Sequence, residues 1–158
     1  MPLVIEMKPK IKYTAASVLL LILSVCVIFF FSDIKNRIHL YLERDEIRLS
    51  AQRYFDSEMN RDFQNLYYCL AESSLYRRSH TYEDYLEDVE NSCVRVVEYE
   101  IVGIYNLREN NDQNSYPEVE KFADVEVEVT LFCPSSGNTT QRNQRFTFMK
   151  EKGKWLKG

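Results

Sequence analysis

The chain has 158 residues, with 20 Lys and Arg against 24 Asp and Glu and a net charge of −4. That balance leaves no basic stripe to neutralise phosphates, so a nucleic-acid partner is excluded. Four glycines, four prolines and 13% aromatic residues exclude a disordered or low-complexity tail and predict a packed domain.

Residues 1–12 carry Lys8, Lys10 and Lys12 against Glu6 and read as a basic, cytoplasmic N-terminus. From Tyr13 to Ser32 there are twenty residues without a charge. A helix of that length, rising about 1.5 Å per residue, reaches across a hydrocarbon core of roughly 30 Å. The expectation is one membrane-spanning helix over 13–32 in an inner or plasma membrane, with the lipid bilayer as a partner and the C-terminal domain outside the cytoplasm. The bulky run Ile28 to Phe31 and the lack of a small-x-small site argue against a cleaved leader, and Cys26 reads as apolar filler.

Residues 33–44 read as a juxtamembrane helical connector and 45–158 as one domain, with no Gly or Pro between Ser32 and Gly103. Leu40, Ile47, Ala51, Tyr54 and Phe55 share one helix face. A second helix is expected after Asn60 as its cap, with the stripe Phe63, Leu66, Tyr67 and Leu70. Thr81 with Asp84 signals the start of a third, striped by Tyr82, Tyr85, Leu86 and Val89.

The period then changes from 3.6 to 2. Val97, Tyr99 and Ile101 alternate with acids, as do Val125, Val127 and Val129, and Phe146 and Phe148 flank Thr147. Turn composition at 109–117, at 134–138 and at Lys152-Gly153 separates three long strands and a short last one around Trp155. Gly103 marks a bulge. Helices followed by strands predict an α+β fold: the spanning helix, then three helices packed on a curved antiparallel sheet.

Strand parity turns Glu98, Glu100, Glu126 and Glu128 outward as an acidic face. With Arg145 expected near Glu128, this face is either a solvated charge ladder or a docking surface for a basic partner. Pairing strand 94–108 with 119–133 sets Tyr99 opposite Val127 and brings Cys93 to Cys133, as a disulfide if the domain lies outside and as two thiols if it lies inside. Cys69 is a competing partner for Cys93. Asn138-Thr139-Thr140 fits a glycosylation sequon. His39 and His80 are far apart, and no metal-ligand spacing or nucleophile motif occurs, so neither a metal nor any other cofactor is expected.

The order of elements, Arg61-Asp62-Phe63 at the second helix and the ending FTFMKEKGKWLKG resemble the nuclear transport factor 2-like superfamily, over roughly residues 45–157. The resemblance implies a cone of helices over a curved sheet, and some members are held at the membrane by one N-terminal span. Ketosteroid isomerase-like members pair a carboxylate with a tyrosine inside the cone. Here Tyr54, Tyr67 and Tyr99 are the expected inward tyrosines, and parity supplies no inward carboxylate on the strands. The expected function is therefore a membrane-tethered, extracytoplasmic, non-catalytic interaction or assembly module for another membrane or envelope protein. The alternative is a small-ligand binder or acid–base enzyme using the apolar interior of the cone.

Overall fold

The computed structural model describes residues 9–158, with side chains at Val27, Phe31 and Ile34 and from Arg37 onward. The chain forms two compact units, Met1–Ile38 and His39–Gly158. Helix α1 runs Pro9–Met59, α2 Phe63–Tyr68, α3 Leu75–Ser79 and α4 Tyr82–Asn91. The strands are β1 (Arg95–Glu109), β2 (Val119–Cys133), β3 (Asn138–Glu151) and β4 (Lys154–Lys157). They form one antiparallel sheet in the order β1-β2-β3-β4, so the class is α+β.

The membrane-anchored version of this fold is corrected in two respects. Among the described residues no helix is long and apolar enough to cross a membrane, and most side chains of 13–32, where the span was expected, lie outside the described residues. Beyond residue 38, α1 has the single buried face that its spacing predicts. Ile47, Ala51 and Phe55 are buried while Arg44, Asp45 and Glu46 are exposed. The helix inventory also differs from a spanning helix plus three. The span, the connector and the first domain helix are one element, because no Gly or Pro interrupts residues 10–59. A further short helix, α3, went unread because five residues begun by Ser74 are too few to show a period.

The main core forms where α1 lies on the sheet. Ile47, Ala51 and Phe55 pack with Ile104, Ala123, Val125, Val127, Val129, Phe148 and Trp155. The odd-numbered valines of β2 are buried together because side chains alternate along a strand. A second cluster joins Leu66 and Leu70 to Tyr85 of α4, with Tyr54 packed against both clusters. Local chemistry sets the helix starts. Asp62, rather than Asn60, caps α2, its side chain accepting from the Asn65 N–H, and α2 stops at Tyr68, short of Leu70. Thr81 and Asp84 form the expected reciprocal capping box of α4.

Three bulges shape β1. Tyr99 pairs with Val129 and Ile101 with Val127; counted from the β1–β2 loop, an irregularity between Arg108 and Tyr105, then Val102 and then Val97 each add a residue to β1. Each bulge adds twist and bends the strand, so the register drifts from a straight pairing about the loop. Gly103 follows the second bulge, as expected, and a Cβ there would collide with the Tyr105 ring. Lys152 and Gly153 both take positive φ, 51° and 74°, the backbone of a tight two-residue hairpin turn whose twist suits its strands.

The end of the sheet is tied to the helices. Residues 69–71 run parallel to Lys157, with the Lys157 N–H donating to the Cys69 carbonyl and the Ala71 N–H to the Lys157 carbonyl. Buried Glu151 accepts from the N–H groups of Glu72 (3.0 Å) and Ser73 (2.9 Å). Removing that carboxylate leaves two amides without acceptors, so Glu151→Ala is expected to cost about 1–2 kcal/mol in urea denaturation.

Candidate functional site

The last turns of α1 carry Tyr54 and Glu58, four residues apart and therefore on one face of the helix. Opposite them stand Leu66 of α2 and Tyr85 and Val89 of α4, and the start of β1 closes the space with Arg95 and Val96. Together with Phe63 these residues line a partly open cavity of about 160 Å³, close to the size that admits one benzene ring, roughly 150 Å³.

Its ionisable groups are displaced by burial. Burial pushes the Glu58 carboxyl above the usual carboxylate range, with the positive charge of Lys157 pulling in the opposite direction. Burial likewise raises Tyr54 well above an ordinary phenol, with the Glu58 charge adding to it, and raises Tyr85 for the same two reasons in the same order. Lys157 is lowered by burial and partly held up by Glu58. Its ammonium lies 5.3 Å from the Tyr54 ring centroid and 5.5 Å from that of Phe146, and donates to the Gly158 carbonyl oxygen at 3.2 Å.

The Tyr85 hydroxyl is the notable atom here. It is buried and finds no hydrogen-bond partner among the described residues. The Tyr105 hydroxyl and the Trp155 indole N–H share that condition, but only Tyr85 lines this cavity. A buried hydroxyl without a partner costs about 1–3 kcal/mol. Chemically, the cavity offers a slot of mixed character, with Arg61, Arg95 and Ser92 among its lining, and a carboxyl able to carry a proton nearer neutral pH than an exposed one, with the Tyr85 hydroxyl buried in its wall.

Of the tyrosines expected to line the interior, Tyr54 does so. Tyr67 and Tyr99 are turned inward but engaged elsewhere. Tyr67 donates to the His80 carbonyl (3.3 Å), and Tyr99 stacks on Phe55 and donates to Asp56 (2.7 Å), being pushed up to about 12 by burial and by that carboxylate. Glu58, Tyr85 and Lys157 were missed. The signal for Glu58 was present: it continues the buried stripe of α1, seven residues after Ala51 and four after Tyr54.

The outward acids come together as expected, but with different neighbours. Glu100 pairs directly with Glu128, while Glu126 faces Gly103 and Glu98 faces Thr130. Side-chain amides of β3 support them, Asn143 donating to Glu126 (2.6 Å) and Gln141 to Glu128. Arg145 lies opposite Glu126, not Glu128, and its guanidinium covers the Tyr105 ring. Cys93, Cys133 and Cys69 are free thiols, Cys93 exposed, Cys133 half-buried beside the Ser135 hydroxyl (3.1 Å) and Cys69 buried. Among the described residues no group of His, Cys, Asp and Glu is placed to hold a metal.

A larger cleft of about 770 Å³ lies between α3, the β1–β2 loop and the adjoining parts of β2 and β3. Both of its arginines are occupied, Arg108 by Asp124 (3.4 Å) and the Phe122 ring, Arg145 by Tyr105. It lacks the burial-shifted carboxyl and free hydroxyl of the smaller cavity.

No family model and no curated protein matches the chain. Among solved structures it is similar to Aln2 from a Streptomyces species, with a TM-score of 0.45 and 12% identity over 75% of this chain and 85% of that one. At that level nothing about fold or activity passes from one protein to the other.

Proposed function

We propose that the chain carries a nuclear transport factor 2-like domain that takes up a small ligand in the interior of its cone. The ligand is an aromatic-sized apolar body bearing one oxygen, seated between Tyr54, Leu66 and Val89, with that oxygen held by Tyr85 and Glu58. The observation that carries this is the buried Tyr85 hydroxyl, left without a partner in the wall of the cavity that also holds a carboxyl whose proton affinity burial has raised. Polar groups kept in this way stabilise a ligand at the expense of the empty protein. Glu58 also supplies the inward carboxylate whose absence favoured a non-catalytic role, so acid–base work on the bound ligand becomes chemically accessible.

Tyr85→Phe separates a ligand site from a packing defect. Deleting a hydroxyl that has no protein partner is expected to leave stability unchanged or raise it by about 1–2 kcal/mol. Binding of phenol or 4-nitrophenol, followed by ligand-detected NMR on the full chain, should weaken about five- to tenfold, the loss of one hydrogen bond. If neither probe binds the wild-type chain at millimolar concentration, the ligand-site reading fails.

A second reading, an interaction module for a partner protein, is favoured by a different observation. β1 is an edge of the sheet and exposes Val94, Val97 and Val102 beside and along its free side, apolar surface of the kind that partners cover. Crosslinking from the native cell that repeatedly recovers one protein through β1, lost on Val97→Lys with Val102→Lys, would support it. Unchanged recovery with both lysines in place would remove it.

A further inference from the structure

The lining of the Tyr85 cavity is sorted by exposure. Leu66, Tyr85 and Val96 are buried, whereas Arg61, Ser92 and Arg95 are exposed, so the cavity opens on a polar side that carries two arginines. Among the described residues its lining holds one carboxyl, Glu58, and burial favours the protonated form of that group. The open side therefore has positive charge in excess.

The two arginines are engaged differently. Arg95 pairs with Phe132 in the sheet and lays its guanidinium on that ring, 5.1 Å from the centroid, and Phe132 does not line the cavity. Arg61 lies in the turn between α1 and α2, with its guanidinium 5.1 Å from the ring centroid of Phe63, which does. A ring contact covers the flat face of a guanidinium and leaves the N–H donors of its edge free. Among the described residues no acceptor or carboxylate takes those donors of Arg61, and its neighbour Asp62 is engaged by the Asn65 backbone N–H (3.2 Å) and side-chain amide (2.6 Å). The backbone adds a second observation. Arg61 has a φ of 55°, the left-handed region that glycine and asparagine enter more readily, so a guanidinium is held at the cavity against the local preference of the turn.

We propose that Arg61 makes the cavity selective for an aromatic ligand that carries a carboxylate opposite its hydroxyl, with the carboxylate on the Arg61 edge at the open side and the hydroxyl toward Tyr85 and Glu58. This rests on the ligand-site reading of the cavity and adds the acidic group to it. A carboxylate matches the planar fork of a guanidinium, which offers it two parallel N–H donors. The benzene-sized interior seats the ring alone, so the carboxylate projects through the open side and keeps water on its outer edge. Its charge is then paired without being buried, and the desolvation cost stays small.

The probes are 4-hydroxybenzoate, its neutral analogue 4-hydroxybenzamide, and phenol, each titrated near neutral pH into the full chain and followed by ligand-detected NMR. The wild type should bind the carboxylate about tenfold more tightly than the amide, the effect of one charge-assisted contact at an exposed edge. Arg61→Asn, whose new side chain suits the left-handed turn, should abolish that preference and leave phenol binding within about twofold, with urea unfolding confirming that the variant keeps its stability. Arg95→Gln removes the same charge and should keep the preference. Equal behaviour of the two variants, whether both keep the preference or both lose it, would overturn the role of Arg61. So would a wild type that binds phenol yet gains nothing from the carboxylate, a result that leaves the ligand site itself standing. Binding of none of the three probes at millimolar concentration would instead remove the site, and the selectivity with it.

Discussion

Replacing Phe55 by alanine is expected to lower the stability of the 39–158 unit by about 3–5 kcal/mol, a large share of what a domain of this size possesses. Phe55 is 1% exposed. It stacks on Tyr99 at 5.1 Å between centroids, meets Phe146 edge-on at 5.3 Å and Tyr54 at 5.0 Å. The substitution removes the apolar area that joins α1 to the sheet and leaves a cavity that those rings close only in part. Urea denaturation followed by tryptophan fluorescence reads the loss directly, because Trp155 belongs to the same cluster. Phe55→Leu, which keeps most of the volume, should recover more than half of it. A cost below about 1 kcal/mol for Phe55→Ala would mean that α1 does not seal the core.

Glu43 gives the second large effect. Its carboxylate accepts from Lys121 of β2 (2.7 Å) and Lys150 of β3 (2.9 Å), and all three side chains are at most 17% exposed. Burial alone would raise the Glu43 carboxyl, but the hydrogen bonds and charges of the two lysines outweigh it and hold it below its ordinary 4.5. Glu43→Ala leaves Lys121 with only Glu109 (3.6 Å) and Lys150 with only Glu46 (3.9 Å), both exposed carboxylates, and is expected to cost about 2–3 kcal/mol. The sign of the pH dependence follows from the lowered value. The stabilisation is complete above the unfolded carboxyl's range, near 4.5, and is lost as the pH falls through the lower value of the folded state. The difference between wild type and Glu43→Gln in unfolding free energy should therefore be flat around neutrality and shrink below about pH 4.5. Constancy down to pH 3 would exclude the lysines as its cause.

The second half of the domain was legible because strands write their burial plainly. β2 runs over 119–133 as expected, its valines sinking on one face and its acids rising on the other, and the Lys152-Gly153 turn follows from residue type alone. The register was not legible. Val97 and Val102 look like ordinary members of an alternating strand, and only the packed sheet shows them to be extra residues and sets Tyr99 against Val129 rather than Val127. The acidic pairs changed with it, and Arg145 was drawn to the Tyr105 face instead of Glu128.

At the N-terminal end the apolar composition of 13–32 outweighed every other signal. It spoke for a membrane span, and the lack of Gly and Pro after Ser32 spoke for helix running on beyond it; the backbone is one helix from Pro9 to Met59. The cavity was hidden for a different reason. Its residues come from four separate elements, and Glu58 looks like one more solvated acid until α4 and the start of β1 are placed over it. A periodicity that counts apolar residues passes over a carboxyl on the buried face. Tyr85 was read as core, and its packing agrees with that, yet the missing partner of its hydroxyl is a property of three-dimensional surroundings alone.

The most direct measurement is a carbon-detected NMR titration of the Glu58 side-chain carboxyl in the full chain, alone and with 4-nitrophenol present. The proposed site predicts a midpoint above the ordinary carboxylate value of 4.5 in the free protein, and a further change when the probe occupies the cavity beside Tyr85. A midpoint at or below 4.5 that is indifferent to the probe would contradict it.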